Sequence, residues 1–439
     1  MSRRRVVIMG AAGRDFHNFN VLFRGDESVE VVAFTATQIP DIEGRRYPAA
    51  IAGGLYPDGI PIRGEEELES IVREQDIEEV WFSYSDVSHD YVMHAASRVI
   101  GWGASFGLCA AARTMIPSSK PVIAITAVRT GCGKSQTTRY ISRILREMGK
   151  KVVAIRHPMP YGDLTKQICQ RFAAYDDLDT HQCTIEEREE YEPHIDNGFV
   201  VYSGIDYGMI LEEAEKEADV ILWDGGNNDT PFYKPDLWIG IVDPHRPGHE
   251  LLYYPGETNF RFADLLIVNK VQTADPDDVA AVLANCLEHN PGARVIQTRS
   301  EIHVSDPESI KGKRVLVVED GPTLTHGGMS YGAGWFAARR AGAAEIVSAK
   351  PWAVGTIKET YEKFPNAGKI LPAMGYGEAQ IRELEETINA TPVDVVVEGT
   401  PIQLSRVINV NKPIVDVTYE LEEIEPGVIE QAVRAAVGG

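Results

Sequence analysis

The sequence predicts an α/β protein, and three observations carry that prediction. Short apolar runs alternate with helical patterns through the 439 residues, as expected for parallel strands joined by crossover helices. One run, Pro121-Val122-Ile123-Ala124-Ile125, leads into Arg129-Thr130-Gly131-Cys132-Gly133-Lys134-Ser135, and a helical pattern with Ile141, Ile144 and Leu145 apolar follows. Another, Val220-Ile221-Leu222-Trp223, ends in Asp224. Strand, glycine-rich turn, Lys-Ser and helix form the layout of a phosphate-binding P-loop.

Composition bounds the function. Apolar residues make up 44% and charged residues 25%, ordinary for a globular protein. No window approaches 18 uninterrupted apolar residues, so no membrane span is expected. Arg3-Arg4-Arg5 precedes only a four-residue apolar run that ends at Gly10, which predicts a first strand rather than a signal peptide. Five cysteines without a CxxC pair predict a cytoplasmic protein in a reducing compartment. The net charge of −22 argues against nucleic acid or anionic membrane as a partner. Any phosphate site is then a local exception built from individual cations.

Three segments are expected. Residues 1–118 read as a Rossmann-like N-terminal domain, with strands at 5–9, 29–35, 79–84 and near 104–108. Gly10-Ala11-Ala12-Gly13 is half of a dinucleotide fingerprint. It lacks the full glycine spacing and an acidic residue closing the second strand, so a tight turn or a phosphorylated metabolite is the better expectation. Residues 119–320 read as a P-loop nucleotide-binding domain, with strands at 121–126, 151–155, 220–223, 237–242, 265–268 and 294–297. The polar insertion 157–217 carries Glu186-Glu187-Arg188-Glu189-Glu190 and reads as a substrate lid, a partner surface or an exposed charged helix. Residues 321–439, preceded by a strand at 314–318, read as a C-terminal α/β extension completing the active site, with strands at 393–397 and 413–417.

The P-loop assigns roles. Thr130, Gly131, Cys132, Gly133, Lys134, Ser135 and Gln136 would cradle phosphate at a helix N-terminus. Lys134 would reach the β/γ-phosphates, and Ser135 would hold Mg²⁺. Val128 stands where the common pattern has glycine. The loop K-G-G-x-G-K-[ST] fits better, with Arg129 at its signature lysine and Thr130 replacing a glycine. Asp224 would complete the metal site, and the following Gly225-Gly226-Asn227-Asn228-Asp229 would sense the γ-phosphate. Asn269-Lys270 matches the start of the guanine-reading N-K-x-D motif, but Gln272 replaces its aspartate. This leaves ATP and GTP both admissible, with ATP expected to serve at least as well. Asp275 is the alternative source of the missing contact. Asp163 is a candidate for the metal or for activating the acceptor. Arg156, His245 and Arg246 are further cations, and His326 lies in the glycine-rich stretch 323–334, expected to bind an anion near the γ-phosphate with Arg339 and Arg340 just beyond. The catalytic set is therefore Arg129, Lys134, Asp163, Asp224 and His326. If all post-strand loops gather at one sheet edge, that stretch meets the P-loop there, and the N-terminal domain adds Arg14 or His17 to the substrate.

The loop around Arg129 resembles that of the SIMIBI-type P-loop NTPases. Together with A-V-R-T-G-C-G-K-S-Q (127–136), W-D-G-G-N-N-D (223–229), T-H-G-G-M-S-Y-G-A-G (325–334) and V-E-G-T-P-I-Q-L-S-R-V-I-N-V-N-K-P (397–413), the chain resembles the cyclic 2,3-diphosphoglycerate synthetase family and relatives described as GTPases. The resemblance implies a cytoplasmic homodimer that uses ATP and Mg²⁺ to activate one phosphate of 2,3-diphosphoglycerate for closure of an intramolecular phosphoanhydride. The alternative it leaves is a SIMIBI-type GTPase acting as a switch or metallochaperone on a protein partner.

Overall fold

The structure is a computed structural model describing residues 3–37, 44–157, 163–226, 228–325, 329–373, 378–400 and 404–438. It is a mixed α/β protein. Among the described residues, no helix is long and apolar enough to cross a membrane.

A six-stranded sheet occupies the N-terminal segment. Its central strand, Arg4–Met9, lies parallel between Val29–Ala36 and Glu79–Phe82. Alternate residues of that strand serve two cores. Val6 and Ile8 pack with Phe16, Phe19 and Phe34, while Val7 and Met9 pack with Leu68, Val72 and Val99. That two-sided burial explains the unbroken apolar run.

The P-loop strand, Val122–Ala127, is buried along its whole length between the parallel strands Val220–Asp224 and Leu237–Val242. Further out, Arg294–Val304 extends well past the expected end at 297. Residues 294–297 pair parallel with Leu265–Val268, and residues 298–304 pair antiparallel with Ile414–Glu423. The apolar run stops at 297, but the backbone stays extended because a second partner takes its hydrogen bonds. Val395–Gly399 and Arg314–Asp320 then continue the sheet parallel to Ile414–Glu423. The sheet thus runs unbroken across residue 320 and reverses direction at the antiparallel pair.

This reversal corrects the expectation of one common carboxyl edge. The strands of the third segment run against those of the P-loop segment. The register offsets them, however, because Glu398 lies level with Asp416, which neighbours the pair Val304 and Val417. At about 3.3 Å per residue, the two sets of strand carboxyl ends face each other across roughly 20 Å.

The N-terminal segment docks on the P-loop segment. Val87–Ser88 pairs with Tyr253–Tyr254 in a short antiparallel ladder. Arg14 donates to the backbone carbonyl and hydroxyl of Thr230 and to Thr114 Oγ1, and its guanidinium lies 4.2 Å from the Phe232 ring centre. His17 is fully buried, stacks on Phe232 at 4.1 Å and bonds the Thr114 carbonyl. Both residues are committed to this interface, which corrects their expected role toward substrate. The glycine turn is likewise filled by protein. Asp15 occupies the space beside Gly10, and the His157 ring fills the space beside Gly13.

Two measurements probe this docking. A methyl group at Gly13 would overlap His157, so Gly13→Ala should destabilise by about 1–3 kcal/mol, read as a lower thermal midpoint and faster proteolysis between the segments. Asp15 is buried, which pushes its carboxyl up to about 6 against the N–H groups of Phe16 and Ala12 that favour ionisation. A raised carboxyl contributes stability below pH 4 that is lost as pH rises through 6. Asp15→Asn keeps an acceptor for both N–H groups. It should therefore be more stable than wild type at pH 7, by at most about 3 kcal/mol, with the advantage gone below pH 4 in urea titrations.

Candidate nucleotide site

The P-loop is shaped by its glycines. Gly131 and Gly133 take positive φ values of 84° and 115°. A side chain at Gly133 would also overlap the amides of Asn269 and Gln136. The loop turns straight into the helix Lys134–Glu147, whose first turn presents Lys134 and Ser135. Backbone donors at a helix N-terminus make an anion site.

Lys134 and Asp224 lie side by side beneath the loop. Lys134 Nζ lies 2.7 Å from Asp224 Oδ1, and Asp224 has no exposed surface. Arg156 NH1 approaches Asp224 Oδ2 to 2.5 Å, and His194 Nε2 lies 3.3 Å from the same oxygen. Burial pushes the Asp224 carboxyl up, but Arg156 and Lys134 outweigh it and hold it well below the usual carboxylate range. Burial, with Arg156 alongside, pulls Lys134 down to about 8 despite Asp224. Burial also lowers His194.

His194 comes from the insertion, on the helix Ile185–Asp196. Four residues before it, Glu190 pairs with Arg156. The acidic run is thus not a solvated face. Glu187 and Glu189 are buried, Glu187 in a capping box with Thr184. No apolar stripe in the sequence announced this burial. The helix is held by its ionic partners together with Tyr191, which is buried in the core and stacks on Phe172 at 4.6 Å.

Arg129 sits at the other end of the loop. Its Nε donates to Asp86 Oδ1 at 2.6 Å, its NH1 meets His249 Nδ1 at 2.9 Å, and its guanidinium carbon lies 3.6 Å from the Tyr253 ring centre. Asp86 also accepts from the Thr130 N–H and hydroxyl. The signature cation is therefore engaged within its own chain, by a residue of the N-terminal segment. Asp86 was not anticipated. Its only sequence signal is an acidic residue shortly after a strand.

Asn269 and Lys270 grip the P-loop backbone from below. Asn269 Nδ2 donates to the Cys132 carbonyl at 2.9 Å, and Lys270 Nζ donates to the Gly131 carbonyl at 2.5 Å and to Asp243 at 2.9 Å. Gln272 is tied to Ser300, and Asp275 caps the helix Pro276–His289. Arg246 reaches Asp243 and the Cys132 sulfur, and His245 meets Thr273.

Other expected residues lie elsewhere. Asp163 is exposed, accepts from the Thr165 N–H and hydroxyl, and lines an open cleft with Arg45 and Tyr47. It does not join the Asp224 cluster. His326 lies outside the described residues. The donors expected to hold an anion in the stretch 323–334 are partly taken by the protein itself. Glu319 accepts from the Trp335 N–H at 2.9 Å and from the N–H groups of Gly334 and Gly332, and Gly332, Gly334 and Gly399 leave the space its carboxyl fills.

For Mg²⁺, the fitting donors are the Ser135 hydroxyl and the Asp224 carboxylate. Both are hard oxygens, and Asp224 is held ionised. Mg²⁺ commonly needs only one or two protein ligands beside phosphate and water. Asp163 is not part of this set.

No family model matches the chain. It is 65% identical over 422 residues, covering 96% of its own length and 94% of the relative's, to arginine synthetase ArcE of Thermococcus kodakarensis. Among solved structures it shares 13% identity and a TM-score of 0.44 with LpxK of Aquifex aeolicus in complex with ATP, covering 74% of this chain and 90% of that one. It shares 18% identity and a TM-score of 0.27 with the hydrogenase maturation factor HypB of Archaeoglobus fulgidus, covering 41% and 81%. These structural likenesses are too distant to assign a site.

Lys134→Ala should cut nucleotide-dependent turnover by at least about a hundredfold, because the ammonium stabilises charge that grows during phosphoryl transfer. Steady-state kinetics beside a thermal melt checks this, and turnover near wild type would remove Lys134 from the reaction.

Proposed function

The chain belongs to the family of arginine synthetase ArcE, and on that footing we propose that it forms arginine at the expense of a nucleoside triphosphate, with ATP as the nucleotide. It is an enzyme of the nucleotide-dependent synthetase class. The observation that carries the site assignment is the grip of Lys134, Arg156 and His194 on Asp224 beside the P-loop turn.

The chemistry of a guanidinium explains why a P-loop serves. A urea oxygen is a poor leaving group. Transfer of the γ-phosphoryl to that oxygen breaks the bond to the nucleoside diphosphate and makes the oxygen leave as phosphate. A nitrogen nucleophile then bonds to the carbon as the carbon–oxygen bond breaks, giving the guanidinium and inorganic phosphate. Lys134 and the P-loop N–H groups hold the phosphates. Arg156 is placed to balance charge that develops as the phosphoryl moves. Mg²⁺, held by Ser135 and Asp224, would screen the triphosphate.

The other reading, closure of a cyclic anhydride in 2,3-diphosphoglycerate, uses the same phosphoryl step on a substrate carrying several negative charges. Glu319 and Glu398 at the strand ends opposite the P-loop are buried, and Glu398 keeps a carboxylate oxygen without a hydrogen-bond partner among the described residues, which suits a cationic group better than such a polyanion.

The test is reversal of the synthesis. Incubation with L-arginine, Mg²⁺, ADP and phosphate should produce ATP, detected by luciferase, and Lys134→Ala should not. Absence of ATP with arginine, alongside a cyclic anhydride phosphorus signal from 2,3-diphosphoglycerate and ATP, would replace this reading with the other.

A further inference from the structure

The second half of the sheet has a feature that the nucleotide chemistry leaves unused. Arg314–Asp320 has Val395–Gly399 on one side and the short strands Glu345–Ile346 and Leu371–Ala373 on the other. After Arg314–Asp320 the chain moves to one side, then returns for Val395–Gly399 on the other. The helix Ala333–Arg340 packs on one sheet face with Val317 and Val397, while Gly355–Lys363 and Glu378–Ala390 pack on the opposite face with Val318 and Val396. Strand order therefore switches between Arg314–Asp320 and Val395–Gly399, and ligands of open α/β sheets bind outside the carboxyl ends at such a point. By register, those ends face the P-loop across the gap walled by Arg294–Val304 and Ile414–Glu423.

The two facing rims are paired differently. On the P-loop rim Lys134, Arg156 and Arg129 are matched by Asp224, Glu190 and Asp86. The opposite rim carries Glu319, Asp320 and Glu398. Glu319 is spent on the helix N-terminus at Trp335. Glu398 is not. It is 2% exposed, and its Oε1 accepts from the Leu404 N–H at 2.6 Å and the Thr400 hydroxyl at 3.2 Å. Its Oε2 is buried with no hydrogen-bond partner among the described residues. The charged group that influences it is another carboxylate, Asp416, and burial pushes it up to about 7. A buried carboxylate oxygen without a partner is costly unless a cation arrives to take it.

We infer that Glu398 receives the α-ammonium group of the amino-acid substrate, with its free Oε2 as the acceptor. This rests on the arginine reading above. The carbon that becomes the guanidinium must lie at the nucleotide rim, where the phosphoryl is transferred, so the amino-acid end of the molecule points to the opposite rim. Glu398 thereby contributes recognition of the amino acid and no bond-making.

The experiment is calorimetric titration of wild type, Glu398→Gln and Glu398→Asp in the presence of Mg²⁺ and ADP. The ligands are L-arginine and 5-guanidinopentanoate, the same molecule without its α-amino group. Wild type should prefer L-arginine at least about tenfold. Glu398→Gln should lose that preference while its affinities for ADP and for 5-guanidinopentanoate stay unchanged, a pattern that general loosening of the fold does not give. A preference that survives in Glu398→Gln, or that wild type never shows although it binds both ligands, overturns the inference. Should Glu398→Gln fail to fold, Glu398→Asp decides: a preference reduced severalfold supports the role, and an unchanged one overturns it. Wild type binding neither ligand would instead bring down the arginine reading, and this inference with it.

Discussion

Asp224 is a carboxylate with no exposed surface, and the arrangement around it is what the rest of the nucleotide site depends on. Burying one charge in a protein interior is costly unless partners surround it. Here the partners come from three separate parts of the chain. Lys134 comes from the P-loop, Arg156 from the end of the neighbouring strand Val152–Arg156, and His194 from the insertion helix. Removing any one partner leaves the others to carry a buried charge. The insertion is thus bound to the nucleotide edge by electrostatics, and Glu190 on Arg156 extends the same network by one more ion pair.

A second network ties in the N-terminal segment. Asp86 holds Arg129 and Thr130, while Arg14 lies near Asp229 and holds Thr230. These contacts reach both ends of the phosphate-binding region, the first turn of the P-loop and the loop after Asp224. Asp229 also lies 3.2 Å from His157, whose ring fills the space beside Gly13. The N-terminal segment therefore acts as a wall of the nucleotide site, and its own glycine turn is closed by the protein against which it docks.

The facing rims give the molecule its polarity. The antiparallel pairing of residues 298–304 with 417–423 turns the sheet direction around, so two sets of strand carboxyl ends confront each other. On one rim Lys134, Arg156 and Arg129 are balanced by Asp224, Glu190 and Asp86, and the other rim holds Glu319, Asp320 and Glu398.

The nucleotide-binding edge was legible in the sequence because it is local. Strand, glycine turn, Lys134-Ser135 and helix lie within the 26 consecutive residues from Val122 to Glu147, and Asp224 ends its own apolar run, so periodicity and turn chemistry suffice. The C-terminal strands were also visible as apolar runs, two of them shorter than Arg314–Asp320 and Ile414–Glu423 and the third, at 393–397, displaced by two residues from Val395–Gly399. The sequence carried no sign of where Arg294–Val304 would end, because its last seven residues are polar except for Ile302 and Val304 and are held extended by a partner more than a hundred residues away. The reversal of the sheet, the burial of the insertion helix and the placement of Asp86, His194 and Glu398 have the same origin. Each depends on which distant segment supplies a hydrogen bond or a countercharge, and spacing along the chain does not encode that. The sequence determined the P-loop, the strand bearing Asp224 and the α/β class. Tertiary structure alone decided which charges meet, because a buried charge is tolerated only where the whole fold brings its partners together.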